Sequence, residues 1–533
     1  MPKPFYITTA IDYTNGAPHI GHAYEKVLAD VIARYHRLEG GEVFFLTGVD
    51  QHGQKVQQSA EKAGVAPQKF VDEITAKFIA LWEKLEVRYD GWAATTNPCH
   101  KKCVQGMLQR LYDEKQIHKD KQEGYYSIRQ EQFLTDKERG PDGEFGAEWG
   151  EVEHRVEENY YFRLAQHKEW LLGYLRANPD CVTPNFRQTE LINAVEKLSG
   201  DLCISRPKSR LNWGIELPFD SDYVNFVWFD ALTNYISFIG YDPSQRNFSD
   251  QPEAFREKWP ALHIIGKDIL IPAHGIYWPI MLHALGFPDD QMPTFLVHGW
   301  WNVSGTKMSK SLGNVIDPDL LAEKYGGEAL RYYLMSDMVI GQDADFLEFR
   351  IIERHDGDLA NSLGNLLNRT LNMATRYSGG SLRRGNRPDA QDFVQMQVQA
   401  YRDLAQDVAM SGTTDTVIKI ANEANHTMDT AIKIANEANQ RIEKTAPWKM
   451  MKEGQTEAVA KILYDLVERL RIIAILISPV LPKAAHGIFD QLNWKMELSG
   501  KEARFSLAEA EWGRLPDGHV VGKPTPLFPR IEA

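Results

Sequence analysis

Thr14-Asn15-Gly16-Ala17-Pro18-His19-Ile20-Gly21-His22 stands between two stretches of different period. Before it, Phe5-Tyr6-Ile7-Thr8-Thr9-Ala10-Ile11 is an apolar, β-branched run of the kind that forms a buried strand. After it, Val27, Leu28, Val31, Ile32 and Tyr35 recur at helical spacing between Ala23 and Leu38. The stretch therefore reads as a strand-to-helix turn that ends at a helix N-terminus. Unpaired backbone N–H groups and the positive end of the helix dipole gather there, which suits bound phosphate. His19 and His22 are three apart and face one side of the first turn. Gly21 between them lacks a Cβ, so a flat ring has room against the backbone.

A second element lies far downstream. Gly305-Thr306-Lys307-Met308-Ser309-Lys310-Ser311-Leu312-Gly313-Asn314 is a small-residue loop with two lysines three apart, placed after an apolar strand at Thr294 to His298. A short cationic loop of this kind suits the developing charge on a triphosphate. Taken singly, the first motif is also an ordinary helix start and the second a pair of solvated lysines. The two together, in this order, point to nucleotide chemistry.

The chain has 533 residues, 43% hydrophobic and 25% charged, which suits two or three globular domains with a large core. The aliphatic run Ile472 to Ile477 is far too short to span a bilayer, so no membrane is expected. Met1-Pro2-Lys3-Pro4 leads straight into the first strand without the look of a targeting peptide, and a cytoplasmic location is expected. Four cysteines make no disulfide framework. Cys99 and Cys103, with His100 near, lack a second ligand pair at zinc-like spacing and read as structural thiols. A net charge of −13 excludes bulk nucleic-acid binding, so any RNA footprint must be local and basic.

Strand–loop–helix alternation continues through Glu42 to Gly48 and Val49-Asp50-Gln51-His52-Gly53 to about residue 115, the pattern of a parallel sheet covered on both faces. Residues 117–206 turn polar and read as an insertion. Sheet-like runs return at Tyr223 to Trp228, His263-Ile264-Ile265-Gly266 and Thr294 to His298. Beyond about residue 345 the signals are helical: Leu359 to Tyr377, Val394 to Val408, Thr416 to Glu443 and Thr456 to Ile477 suggest a bundle. Within it, Asp415 to Asn425 recurs nearly unchanged as Asp429 to Asn439, fourteen residues on and close to four helical turns, a duplication expected to lengthen one helix without chemistry of its own.

His-Ile-Gly-His and Lys-Met-Ser-Lys-Ser together resemble the paired signatures of class I aminoacyl-tRNA synthetases. The sequence Ala10-Ile11-Asp12-Tyr13-Thr14-Asn15-Gly16, with Gly48-x-Asp50-x-His52-Gly53, Val227-Trp228-Phe229-Asp230-Ala231-Leu232-x-x-Tyr235, Gly266-Lys267-Asp268 and His274 before Tyr277-Trp278-Pro279, is similar to the methionyl-tRNA synthetase family over essentially the whole chain. The resemblance implies an α/β fold: a Rossmann-like doubly wound parallel sheet in two halves (1–116 and 207–300), split by the connective insertion at 117–206. A loop and stem-contact region at 301–350 and an all-α anticodon-binding domain at 351–533 follow.

It implies methionine activation by ATP with Mg²⁺ and transfer to methionine tRNA, initiator and elongator. Catalysis falls to His19, His22, Lys307 and Lys310. Methionine contacts fall to Ala10, Ile11, Tyr13, Asp50, Trp228, Ala231, Tyr235 and His274, with Asp50 on the ammonium. ATP contacts add Gly21, Gly266 and Asp268. Gly364-Asn365-Leu366-Leu367-Asn368-Arg369 and Ala446-Pro447-Trp448 resemble the anticodon-reading segments, implying Asn365, Arg369 and Trp448. A thioether side chain calls for an adaptable aromatic slot rather than a charged one.

Three departures stand out. Gln51 replaces an acid common in the family, and the Asp268–His274 spacing, through Ile271-Pro272-Ala273, is one residue longer than usual. The insertion also lacks the Cys-x-x-Cys pairs that hold zinc in many relatives, so a metal-free insertion is expected. No further domain is expected after Pro526-Leu527-Phe528-Pro529, and a monomer is expected. Synthetases for isoleucine, leucine or valine resemble longer chains with a large editing insertion. A small nucleotidyltransferase would not need the lysine loop, and a non-catalytic RNA-binding module would need neither phosphate element.

Overall fold

The computed structural model describes residues 3–127, 132–134, 136–140, 142–146, 149–226, 228–308, 313–384, 391–399, 415–494 and 505–531, with helix backbone alone at 415–427. Lys310 and its neighbours at 309–312, and most of the helix expected at 394–408, lie outside the described residues.

Seven strands form the central sheet: β1 (Phe5–Thr9), β2 (Asp12–Tyr13), β3 (Val43–Asp50), β4 (Gly91–Ala94), β5 (Val182–Thr183), β6 (Leu262–Gly266) and β7 (Thr294–His298). Their order is β2-β3-β1-β6-β7-β5 with β4 also on β3, and every pairing is parallel. Strands covered on both faces carry continuous apolar runs, hence Phe45-Leu46 and Ile264-Ile265, all buried. His263 sits among them at no cost in unpaired nitrogens: its ring bonds the Thr8 hydroxyl at 2.6 Å and accepts from Trp278 Nε1 at 3.1 Å.

From β1 the chain crosses to β3 on one side, while β6 lies on the other. The strand order therefore reverses at the carboxyl end of β1, the place where such sheets bind ligands. The Thr9–Ile264 register brings both Ala10 and Gly266 to that opening.

The polar stretch folds largely as an antiparallel sheet of Ile117–Ser127, Gln132–Leu134, Val152–Phe162 and Leu202–Cys203. It also donates β5 to the edge of the central sheet. The run from Tyr223 to Trp228 is strand only as far as Asn225, and that strand lies outside the central sheet. Asp220–Asn225 pairs antiparallel with Ser205–Pro207 and Glu216–Leu217 in a small separate sheet, and Trp228 opens α2 (Trp228–Ser237). A short apolar run has no period to separate strand from helix start.

The C-terminal part is helical, with α3 (Asn365–Ser378), α4 (Asp415–Thr445), α5 (Thr456–Ile477) and α6 (Pro482–Gln491). Both copies of the duplicated segment lie in α4, and the second turns Ala431, Ile434, Ala435 and Ala438 into the core. The bundle is fastened to the catalytic part by Arg331, fully buried. Its guanidinium pairs with Asp30 at 2.8 Å and donates to the Leu85, Pro479 and Val480 carbonyls at 2.8–2.9 Å.

Candidate active site

Helix α1 (Ile20–Leu38) begins with an unusual cap. His19 is the N-cap: its Nδ1 accepts the Gly21 N–H at 3.1 Å, and His22 Nδ1 accepts the His19 N–H at 3.1 Å. Imidazoles thus do what serine and glutamate do in an ordinary capping box. A neutral ring that accepts through Nδ1 carries its hydrogen on Nε2. Both histidines therefore present an Nε2–H donor at a helix N-terminus, with their rings stacked at 3.7 Å. A Cβ on Gly21 would sit 3.0 Å from His19 Cε1, so the stack depends on that glycine.

The histidines open onto a cavity of about 440 Å³ at the carboxyl ends of β1 and β6. Ala10, Ile11, Tyr13, Asp50, Trp228, Ala231, Tyr235 and His274 line it, as do Gly21, Gly266, Asp268 and Lys307. One chamber collects every described residue expected to touch amino acid or nucleotide.

Its apolar end is organised by His274. The segment Leu270–Tyr277 winds in a wide turn that breaks from helical geometry at Ile271 (φ −113°, ψ 121°). His274 Nδ1–H donates to the Ile269 carbonyl at 3.0 Å, so Nε2 accepts the Tyr235 hydroxyl at 2.7 Å. Burial pulls the imidazole down to about 4, and it stays neutral. Trp228 closes the slot edge-on to His274 at 6.5 Å.

Asp50, at the end of β3, supplies the charge. Burial, then the Asp230 carboxylate nearby, push the Asp50 carboxyl well above the usual carboxylate range. Burial also pushes Asp230 up. The His52 charge, with hydrogen bonds from His100 Nε2 at 2.8 Å and His52 Nδ1 at 2.6 Å, outweighs it and holds Asp230 at about 2. Gln51 is buried with its amide satisfied at both ends, by Thr75 at 3.0 Å and Thr96 at 2.6 Å, so a neutral side chain suits the position.

On the nucleotide side Lys307 lies 3.7 Å over the Trp300 ring and 3.4 Å from Asp268. Lys267 shares that ring at 4.0 Å and pairs with Asp343 at 2.7 Å. Among the described residues no group of three or more His, Cys, Asp or Glu is arranged to hold a metal, and no helix is long and apolar enough to cross a membrane.

The family description "tRNA synthetases class I (M)" matches residues 5–144 and 148–371, and "Anticodon binding domain of methionyl tRNA ligase" matches 388–533. The methionine–tRNA ligase of Thermosynechococcus vestitus is 37% identical over 100% of this chain and 98% of its own length; that of Deinococcus radiodurans is 38% identical over 99% and 75%. The chain belongs to the methionyl-tRNA synthetase family. Among solved structures, methionyl-tRNA synthetase of Mycobacterium tuberculosis in complex with methionyl-adenylate superposes with a TM-score of 0.86 at 35% identity, covering 99% of this chain and 100% of that one.

In a methionyl-tRNA synthetase the bundle residues gain interest. Asn365 is exposed at the start of α3; Arg369, one turn on, is half-buried and donates to Glu443 at 2.7 Å. Trp448 is half-buried after Ala446, whose φ of 44° turns the chain between α4 and the short helix Pro447–Lys452.

Sequence reasoning passed over Lys26, Asp12, Glu25, His298 and Trp300, all at or beside the cavity wall. The available signal was α1 itself. That signal was masked: Lys26, Asp30 and Arg34 recur every fourth residue like a solvated stripe, although every residue from Ala23 to Ala33 is buried.

Proposed function

We propose that this cavity joins L-methionine to ATP, forming methionyl-adenylate and pyrophosphate, and then passes the methionyl group to the terminal ribose of methionine tRNA. The observation that carries the reading is that the His19–His22 donors, Asp50 and the Tyr235–His274 pair face one chamber. The family membership supports it.

Methionine lies with its ammonium on Asp50, a charge-assisted contact, and its thioether among Trp228, Tyr13, Ala231 and the Tyr235–His274 pair. Its carboxylate oxygen attacks the α-phosphorus; the new P–O bond forms as the bond to pyrophosphate breaks. Mg²⁺ enters with the nucleotide as substrate. His19 and His22 Nε2–H groups donate to the phosphates, Gly266 and Asp268 hold the nucleotide, and Lys310, with Lys307 assisting, carries the charge of the pentavalent state and the pyrophosphate. Positioning and charge stabilisation supply the rate, with little covalent chemistry asked of the chain. The ribose hydroxyl of tRNA then attacks the adenylate carbonyl and AMP leaves.

Trp448 stacks on an unpaired anticodon base while Asn365 and Arg369 bond base edges, in initiator and elongator tRNA alike. The chain works in the cytoplasm as a monomer. ATP–pyrophosphate exchange tested with each of the twenty amino acids decides the substrate. Exchange with methionine at least about a hundredfold above leucine or isoleucine is expected from a shaped slot with polar contacts; equal exchange with another amino acid overturns the reading.

A further inference from the structure

Lys26 is completely buried, and its ammonium has three acceptors: the Ala10 carbonyl at 2.8 Å, Asp12 Oδ1 at 2.6 Å and Glu25 Oε1 at 3.0 Å. All three N–H bonds are thereby committed. The second Glu25 oxygen lies 3.1 Å from His298 Nε2, and His298 Nδ1–H donates to the Gly299 carbonyl at 2.8 Å. Asp12, Glu25 and His298 line the cavity, as does Ala10, whose carbonyl Lys26 grips. One buried cation therefore ties the amino-acid wall to the nucleotide wall.

Charge makes the arrangement consequential. Asp12 is only 4% exposed, and its Oδ2 has no hydrogen-bond partner. His22 Nε2 stands 4.0 Å from the other oxygen of that carboxylate. The wall thus carries the Glu25 carboxylate and an Asp12 carboxyl that burial raises to about 7 against the pull of Lys26, with the ammonium between them where a triphosphate must approach. Burial alone would favour loss of the Lys26 proton, but Asp12 and Glu25 outweigh it and the ammonium stays charged.

We propose that Lys26 is a positioning residue for adenylate formation, fixing the Ala10 carbonyl and the Glu25 carboxylate and cancelling the negative charge that Asp12 and Glu25 would otherwise turn toward incoming ATP. The inference rests on the adenylate-forming reading. It identifies Asp12–Lys26 as an unequal pair: Lys26 keeps Glu25 when Asp12 is lost, whereas Asp12 has no other cation among the described residues when Lys26 is lost.

The test is steady-state pyrophosphate exchange, at a pH above the raised Asp12 titration, on wild type, Lys26→Met, Asp12→Asn and the double variant, with the unfolding midpoint measured alongside. Lys26→Met is expected to raise KM for ATP about tenfold or more, the effect of uncovering a partly screened charge at close range. Adding Asp12→Asn to it is expected to recover most of that loss, because the uncovered carboxylate is removed. A double variant as poor as or worse than Lys26→Met, or an unchanged KM for ATP with only a lowered midpoint, overturns the proposal. Should Lys26→Met fail to fold, Asp12→Asn alone decides. One carboxylate fewer around the same ammonium lowers KM for ATP at low salt; an unchanged or raised KM overturns the proposal. Wild-type exchange is the control: its absence sinks the adenylate reading, whereas a Lys26→Met enzyme equal to an active wild type sinks this inference alone.

Discussion

The Tyr235 hydroxyl donates to His274 Nε2 across 2.7 Å, and its direction is set from behind by the His274 Nδ1–H bond to the Ile269 carbonyl. A phenol and a neutral imidazole are thus locked as one polar unit at the end of an otherwise apolar slot. Tyr235→Phe leaves His274 Nε2 buried without a donor, a loss of about 1–3 kcal/mol. We expect kcat/KM for methionine to fall about tenfold or more while KM for ATP stays within about twofold. A variant whose methionine kinetics match wild type contradicts the slot.

Asp50 predicts a proton. Its carboxyl is raised by burial and by Asp230, and a bound ammonium would pull it back down. Methionine binding is expected to release a proton, and affinity to rise with pH through the raised Asp50 titration. Calorimetry in two buffers of different ionisation enthalpy measures the release directly. Zero net release throughout that range, or release unchanged in Asp50→Asn, contradicts the assignment.

What could be read in advance follows a physical rule. The turn at residues 14–22 was legible because its strand, cap and helix are contiguous, and because phosphate chemistry needs small residues and donors at a helix start. Tyr223 to Asn225 was legible as strand, but the end at Trp228 was not, because a short apolar run fits a strand and a helix entry equally. Lys26 escaped because its meaning lies in Asp12 on the strand side and His298 beyond the insertion, partners that only the sheet topology brings together. The spacing before His274 gave no geometry for its ring, because only the wide turn at Leu270–Tyr277 sets it on Tyr235.

The two lysines of the loop should differ. Lys307 rests on Trp300 and Asp268, whereas the reading gives Lys310 the transition state. Lys310→Ala is expected to lower kcat of exchange by about a hundredfold or more with little change in KM for methionine, as loss of one transition-state donor does. Retention of most of the exchange would remove Lys310 from the mechanism.

Anticodon reading should separate cleanly from adenylate formation. Trp448→Ala is expected to cost the stacking of one base, about 1–3 kcal/mol in tRNA charging, and to leave pyrophosphate exchange within about twofold. Equal loss in both assays would mean that Trp448 serves folding instead.

The most direct test of the whole account is a crystal structure of the chain with a non-hydrolysable methionyl-adenylate analogue. The account predicts the amine on Asp50, the thioether between Trp228 and the Tyr235–His274 pair, and the phosphate mimic on His19 and His22. An analogue whose side chain lies outside that slot, or whose amine is out of hydrogen-bond reach of Asp50, would contradict it.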